Sequence, residues 1–227
     1  MSNLILLIAK GTYYVDTLLQ YKPLLENRLN VVIYTDEVDR VLESYENADV
    51  RKYKSDVFRY FDKYKLTYQL VFEKKEPVMY IDVGRLQDIL STDLLNFDKD
   101  KINSIYTNGN WDNKSSAEYL RDFKTPYFEL GYWDNILNYF ENKGYNISSI
   151  EPILEITFVF PFNPNLTNII NEIESLRNIF ENNSKTKKNV YSGIGNGEGL
   201  ALGYALHKLS IKKYNLIELP VIKQKTL

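Results

Sequence analysis

The chain has 227 residues, of which 44% are hydrophobic and 26% charged, with a formal net charge of −2. It has no cysteine and one histidine, His207. That excludes disulfides, thiolate metal sites, cysteine nucleophiles and multi-histidine centres. The balanced charge argues against a broad nucleic-acid surface, because phosphate affinity comes from clustered Lys and Arg.

The apolar runs and their punctuation predict the elements in chain order. Leu4 to Ile8 is a continuous apolar run, as expected of a strand covered on both faces, and it ends at Lys10-Gly11-Thr12. Tyr13 to Leu29 has helical spacing, with a break or kink at Pro23. Val31 to Tyr34 is a second buried strand, ending at Thr35-Asp36. Val38 to Glu46 reads as helix. Asp56 to Tyr64 and Tyr68 to Lys75 read as two more helices, with Ser55 or Asp56 as a cap. Val78 to Ile81 is a third buried strand, ending at Asp82. Ile102 to Tyr106 and Ile153 to Phe160 are further strands. Asn168 to Phe180 and Leu200 to Leu209 are helices, and Leu216 to Leu219 is a closing strand. Asn108 to Ser116, Phe160 to Asn165 and Glu181 to Gly199 are the most loop-like segments.

Strands alternating with helices imply an α/β fold with a mostly parallel central sheet flanked by helices. Residues 1–100 and 101–227 form the two halves of one domain of 227 residues. Ligands of such sheets bind beyond the carboxyl ends of the strands. Three places qualify: Lys10-Gly11-Thr12, Thr35-Asp36-Glu37 and Asp82-Val83-Gly84-Arg85. Leu4 to Ala9 is too short for a membrane span, and no other run approaches 18 apolar residues. A cytoplasmic protein without a transmembrane segment is therefore expected. The 19 Tyr and 23 Asn are best explained by an AT-rich coding genome.

Two loops carry candidate chemistry. An acidic residue leaving a buried strand can hold a hard cation through carboxylate oxygens, and Asp82 leaves such a strand at the end of Val78-Met79-Tyr80-Ile81-Asp82. Arg85 follows, and a guanidinium binds phosphate bidentately. The second loop is Gly193-Ile194-Gly195-Asn196-Gly197-Glu198-Gly199. Its glycines open the backbone to a ligand at a helix N-terminus. Its spacing is neither the Walker pattern nor a dinucleotide fingerprint. Glu198 sits at the helix start, where it can cap, act as a general base or attack as a nucleophile. His207 lies nine residues on, half a turn out of phase with Glu198 on a regular helix. Trp111 stands among Asn110, Asp112 and Asn113, the kind of polar loop that can stack and hydrogen-bond a sugar. The polar, basic stretch Asn182 to Lys188 would suit a flap.

The Val31-Val32-Ile33-Tyr34-Thr35-Asp36 and Val78-Met79-Tyr80-Ile81-Asp82 segments resemble the second strand and the metal-binding strand end of nucleotide-sugar glycosyltransferases of the GT-A fold. Where that family has a second Asp in its Asp-x-Asp motif, this chain has Gly84. The resemblance implies a GT-A-like, Rossmann-like domain that moves a sugar from a nucleotide-sugar donor to a carbohydrate acceptor hydroxyl. It implies Lys10, Gly11, Thr12, Asp36, Arg85, Gly195 and Gly197 around the donor and Asp82 on a divalent cation (Mn²⁺ or Mg²⁺). It further implies Glu198 at the reacting centre, with Asn110, Trp111 and Asp112 at the acceptor. Two alternatives remain. One is a degenerate domain of this fold that binds a carbohydrate or partner without turnover. The other is an unrelated α/β phosphate-binding enzyme centred on the glycine loop.

Overall fold

The computed structural model describes residues 4–25, 30–55, 61–90, 100–107, 138–146, 150, 154–182, 197–211 and 214–219. Two compact units divide the chain. The first takes Met1–Phe58, Asp62–Asn103 and Ile156–Leu166, and the second takes the rest.

The first unit is built on β1 (Leu4–Ala9), β2 (Asn30–Thr35), β3 (Asp49–Lys52), β4 (Val78–Asp82) and β6 (Leu154–Phe160). Their order in the sheet is β3-β2-β1-β4-β6. The first four are parallel, and β6 runs antiparallel to β4. All six residues of β1 are buried, as a central strand sandwiched between helices requires. The helices are α1 (Thr12–Gln20), α2 (Lys22–Leu25), α3 (Val38–Leu42), α4 (Asp62–Lys74) and α5 (Leu86–Leu90), the last preceded by a 3₁₀ turn at Val83–Arg85. This is an α/β, Rossmann-like arrangement with a mostly parallel sheet, as the alternation of apolar runs implies. The antiparallel β6 departs from that pattern.

Several expected boundaries move. The first helix breaks at Tyr21, and Pro23 falls in the opening turn of α2, where a missing N–H costs little. The third helix stops at Leu42 rather than continuing to Glu46. The expected break between two helices, at 65–67, is helical within one α4, and residues 56–60 lie outside the described residues. Strand β3, Asp-Val-Arg-Lys, has no apolar run to announce it. Its charges suit a sheet edge, where they discourage pairing with another chain.

An aromatic cluster holds β4 and β6 to α4. Tyr64 lies 4.9 Å from Phe158, Phe158 lies 4.7 Å from Phe160, and Tyr80 stacks on Phe158 at 5.2 Å. Each such buried ring contributes about 1.5–3 kcal/mol by burial. The buried threonines are satisfied. Thr157 Oγ1 donates to the Tyr80 carbonyl at 2.6 Å, and Thr67 Oγ1 to the Lys63 carbonyl at 2.6 Å.

The second unit contains β5 (Asn103–Thr107), β7 (Tyr214–Leu219), α6 (Leu166–Asn182), α7 (Gly197–Lys208) and a helical turn at 138–142. Leu200 through Leu206 are buried at every position, so α7 is enclosed on all sides over that stretch. The turn at 138–142 ends in a Schellman motif. Gly144, at φ +77°, donates to the Glu141 carbonyl, and Tyr145 N–H donates to that of Phe140. Phe140 and Tyr145 both pack on Tyr204, at 5.0 and 4.9 Å. No helix among the described residues is long and apolar enough to cross a membrane.

Candidate functional site

The chain runs from β1 outward to β2 and β3, then returns to place β4 on the other side of β1. That reversal makes the β1/β4 boundary a topological switch point, the place where sheets of this kind bind ligands. Cross-strand register aligns what lies there. Ile8 is level with Tyr34 on one side and with Asp82 on the other. Lys10 and Asp36 follow just beyond the ends of β1 and β2. Three of the expected residues, Lys10, Asp36 and Asp82, thus share the carboxyl edge of three neighbouring parallel strands.

Lys10 Nζ donates to Asp36 Oδ2 at 2.8 Å, and Gly11 N–H donates to Asp36 Oδ1 at 2.9 Å. Burial pushes the Asp36 carboxyl upward, but the Gly11 amide and the Lys10 ammonium outweigh it. The net effect is a pKa below the ordinary carboxylate value. Gly11 has φ +86° and ψ 155°, a region essentially confined to glycine, and it caps α1. Thr12 Oγ1 donates to Glu37 Oε1 at 2.9 Å. Arg40 donates to Glu37 at 3.0 Å and also pairs with Asp16. Tyr13, next in line, is 74% exposed. Apolar spacing places Tyr13 only in a helix; the sequence signal that marks this exposed ring is its adjacency to the strand end at Lys10-Gly11-Thr12.

Asp82 does not cap the following 3₁₀ turn, because its side chain bonds none of the turn's amides. It accepts a hydrogen bond from the Tyr80 hydroxyl instead. Gly84 is exposed, lacks a positive φ, and an added Cβ there would meet nothing within 4 Å. Arg85 closes the same turn, two residues from the edge. Among the described residues no three carboxylate or histidine side chains group to hold a metal ion. A cation that keeps water and takes phosphate oxygens needs only one or two protein carboxylates, so Asp82 fits such a donor set.

Gly197 and Glu198 lie in the first turn of α7, so this helix begins three residues earlier than Leu200. His207 is exposed near its other end, nine residues from Glu198 on one continuous helix. The two stand half a turn apart in phase. Gly195, Asn110, Trp111 and Asp112 lie outside the described residues, as do 183–188 of the basic stretch.

No family model matches the chain, and no curated protein matches it. Among solved structures, it is similar to the bifunctional IspDF from Campylobacter jejuni at 11% identity and a TM-score of 0.41. The match covers 96% of this chain and 50% of that one, so the chain spans half the length of that protein.

Proposed function

We propose that the chain is a glycosyltransferase using a nucleotide-sugar donor, with the donor's nucleotide held at the carboxyl edge of the first unit. The observation supporting this reading is the row of Lys10, Asp36 and Asp82 at the switch point between β1 and β4. In this reading Lys10 binds a phosphate oxygen, oriented by its 2.8 Å bond to Asp36. The Gly11 turn brings the backbone close, Thr12 borders it, and Arg85 offsets further phosphate charge. The exposed Tyr13 ring offers a face on which a base can stack. Asp82 holds a divalent cation, which when bound neutralises the diphosphate as a leaving group. The resemblance assigns Glu198 the proton of the acceptor hydroxyl, whose oxygen bonds to the sugar carbon as the bond from that carbon to phosphate breaks. Asn110, Trp111 and Asp112 bind the acceptor sugar.

A thermal-shift series with uridine, guanosine, cytidine and adenosine diphosphates, with and without Mn²⁺, tests the donor site. At least one should raise the melting temperature. Lys10→Met should weaken that binding about 10-fold or more, the value of a lost charge-assisted hydrogen bond. No shift with any of the four rejects the donor site.

One observation favours a second reading, binding without turnover. Position 84 has room for the family's second carboxylate and carries none. Glu198→Gln separates the two: an enzyme loses turnover and keeps nucleotide affinity, whereas a binder has no turnover to lose.

A further inference from the structure

We propose that Tyr80 is a positioning residue for Asp82, fixing one carboxylate oxygen so that the other is presented to a cation; this rests on the reading of Asp82 as the cation ligand. Residues 80 and 82 are two apart on β4, so their side chains share a face of the sheet. The Tyr80 hydroxyl donates to Asp82 Oδ1. Among the described residues nothing else hydrogen-bonds the Asp82 carboxylate, which leaves Oδ2 for a ligand. The donor is itself held. Tyr80 is 1% exposed, stacks on Phe158 at an interplanar angle of 26°, and accepts Thr157 Oγ1 on its carbonyl. Lys63 Nζ lies 5.6 Å from the ring centroid, on a side chain that is also 1% exposed.

A phenol clamped on its ring, its backbone and its hydroxyl cannot swing away. The rotamer of Asp82 is therefore set from the core outward. A hydroxyl needed only to satisfy a buried ring would have no bearing on metal affinity. One needed to orient a ligand would, since partners behind a metal ligand are worth about 10-fold or more in affinity.

Mn²⁺ alone, titrated into the full chain and followed by the electron paramagnetic resonance signal of the free ion, is the test. We expect one weak site in the wild type, its loss in Asp82→Asn, and about 10-fold weaker binding in Tyr80→Phe, which keeps the stacked ring. Tyr80→Phe should add nothing in the Asp82→Asn background, because the two act through one bond. Wild-type affinity in Tyr80→Phe, with Asp82→Asn losing the site, overturns the positioning role alone. An Asp82→Asn protein that binds Mn²⁺ like wild type, or a wild type that binds none, overturns the cation reading of Asp82 and this role with it. Should Tyr80→Phe not fold, Asp82→Glu replaces it: lengthening the side chain displaces the carboxylate from the hydroxyl, and the same 10-fold loss is expected. Unchanged affinity there overturns the role.

Discussion

Gly11 and Gly84 are both glycines beside the candidate site, and they ask for opposite treatment. Neither lacks space for a methyl group. Gly11 nonetheless sits at φ +86° and ψ 155°, where a Cβ is strained whatever the room around it. Gly11→Ala should destabilise the fold by about 1–3 kcal/mol, read as a lower denaturation midpoint. Gly84→Asp should leave the midpoint unchanged within about 0.5 kcal/mol, as expected of an open surface position. The reverse situation occurs at Ser210, a non-glycine at φ +53°. Its amide donates to the His207 carbonyl and that of Ile211 to Leu206, a Schellman ending for α7 that favours glycine. Ser210→Gly should therefore stabilise by roughly 0.5–1 kcal/mol, visible as a raised midpoint. Lys10, Asp36 and Asp82 were legible as single residues because each follows an apolar run that had to be a buried strand. The partner of Asp82 was not. Tyr80 read as one more apolar residue of β4, and only the strand geometry brings its hydroxyl to the carboxylate.

At the level of elements, the edge strand β3 is held by charge more than by apolar burial. Arg51 forks onto Asp49 at 2.6 and 2.9 Å and onto Glu73 of α4 at 2.6 and 2.7 Å. It also lies 5.8 Å from the Tyr34 ring. For both acids the Arg51 hydrogen bonds are the largest influence, and each pKa lies below its ordinary value. Acids lowered on folding stabilise the native state fully above their unfolded pKa, about 4. That contribution is lost as the pH falls through their lower folded values. The Asp49 and Glu73 side chains are 38% and 46% exposed, so screening keeps the network to about 1 kcal/mol or less. Arg51→Met should lower the melting temperature slightly at pH 7 and low salt. The gap to wild type should shrink in 1 M salt and narrow as the pH falls below about 4. A gap that neither salt nor acid narrows would assign the loss to packing instead. Such a strand escapes apolar periodicity because nothing about Asp-Val-Arg-Lys is periodic. What makes it a strand is the pairing of its backbone with β2.

Across the whole chain, the parallel part of the sheet was legible and the direction of β6 was not. An apolar run is the same read either way, and orientation is decided by the connection that precedes it. That strand closes the first unit from a distance in sequence, since Ile156–Leu166 packs with residues before Asn103. A fragment ending at residue 103 would leave Val78–Ile81 as an apolar edge with open hydrogen-bonding groups. It should sediment as aggregates, whereas the chain carried to residue 227 should not; a soluble, monomeric fragment would show that β6 is dispensable. The same closure has a meaning in time. Between completion of β4 and completion of β6 a ribosome adds roughly 80 residues, which at about 5–20 residues per second takes on the order of 4–15 s. For those seconds the strand bearing Asp82 has β1 on one side and no partner on the other. The half of the molecule holding the candidate nucleotide site is thus exposed to mispairing late into its synthesis.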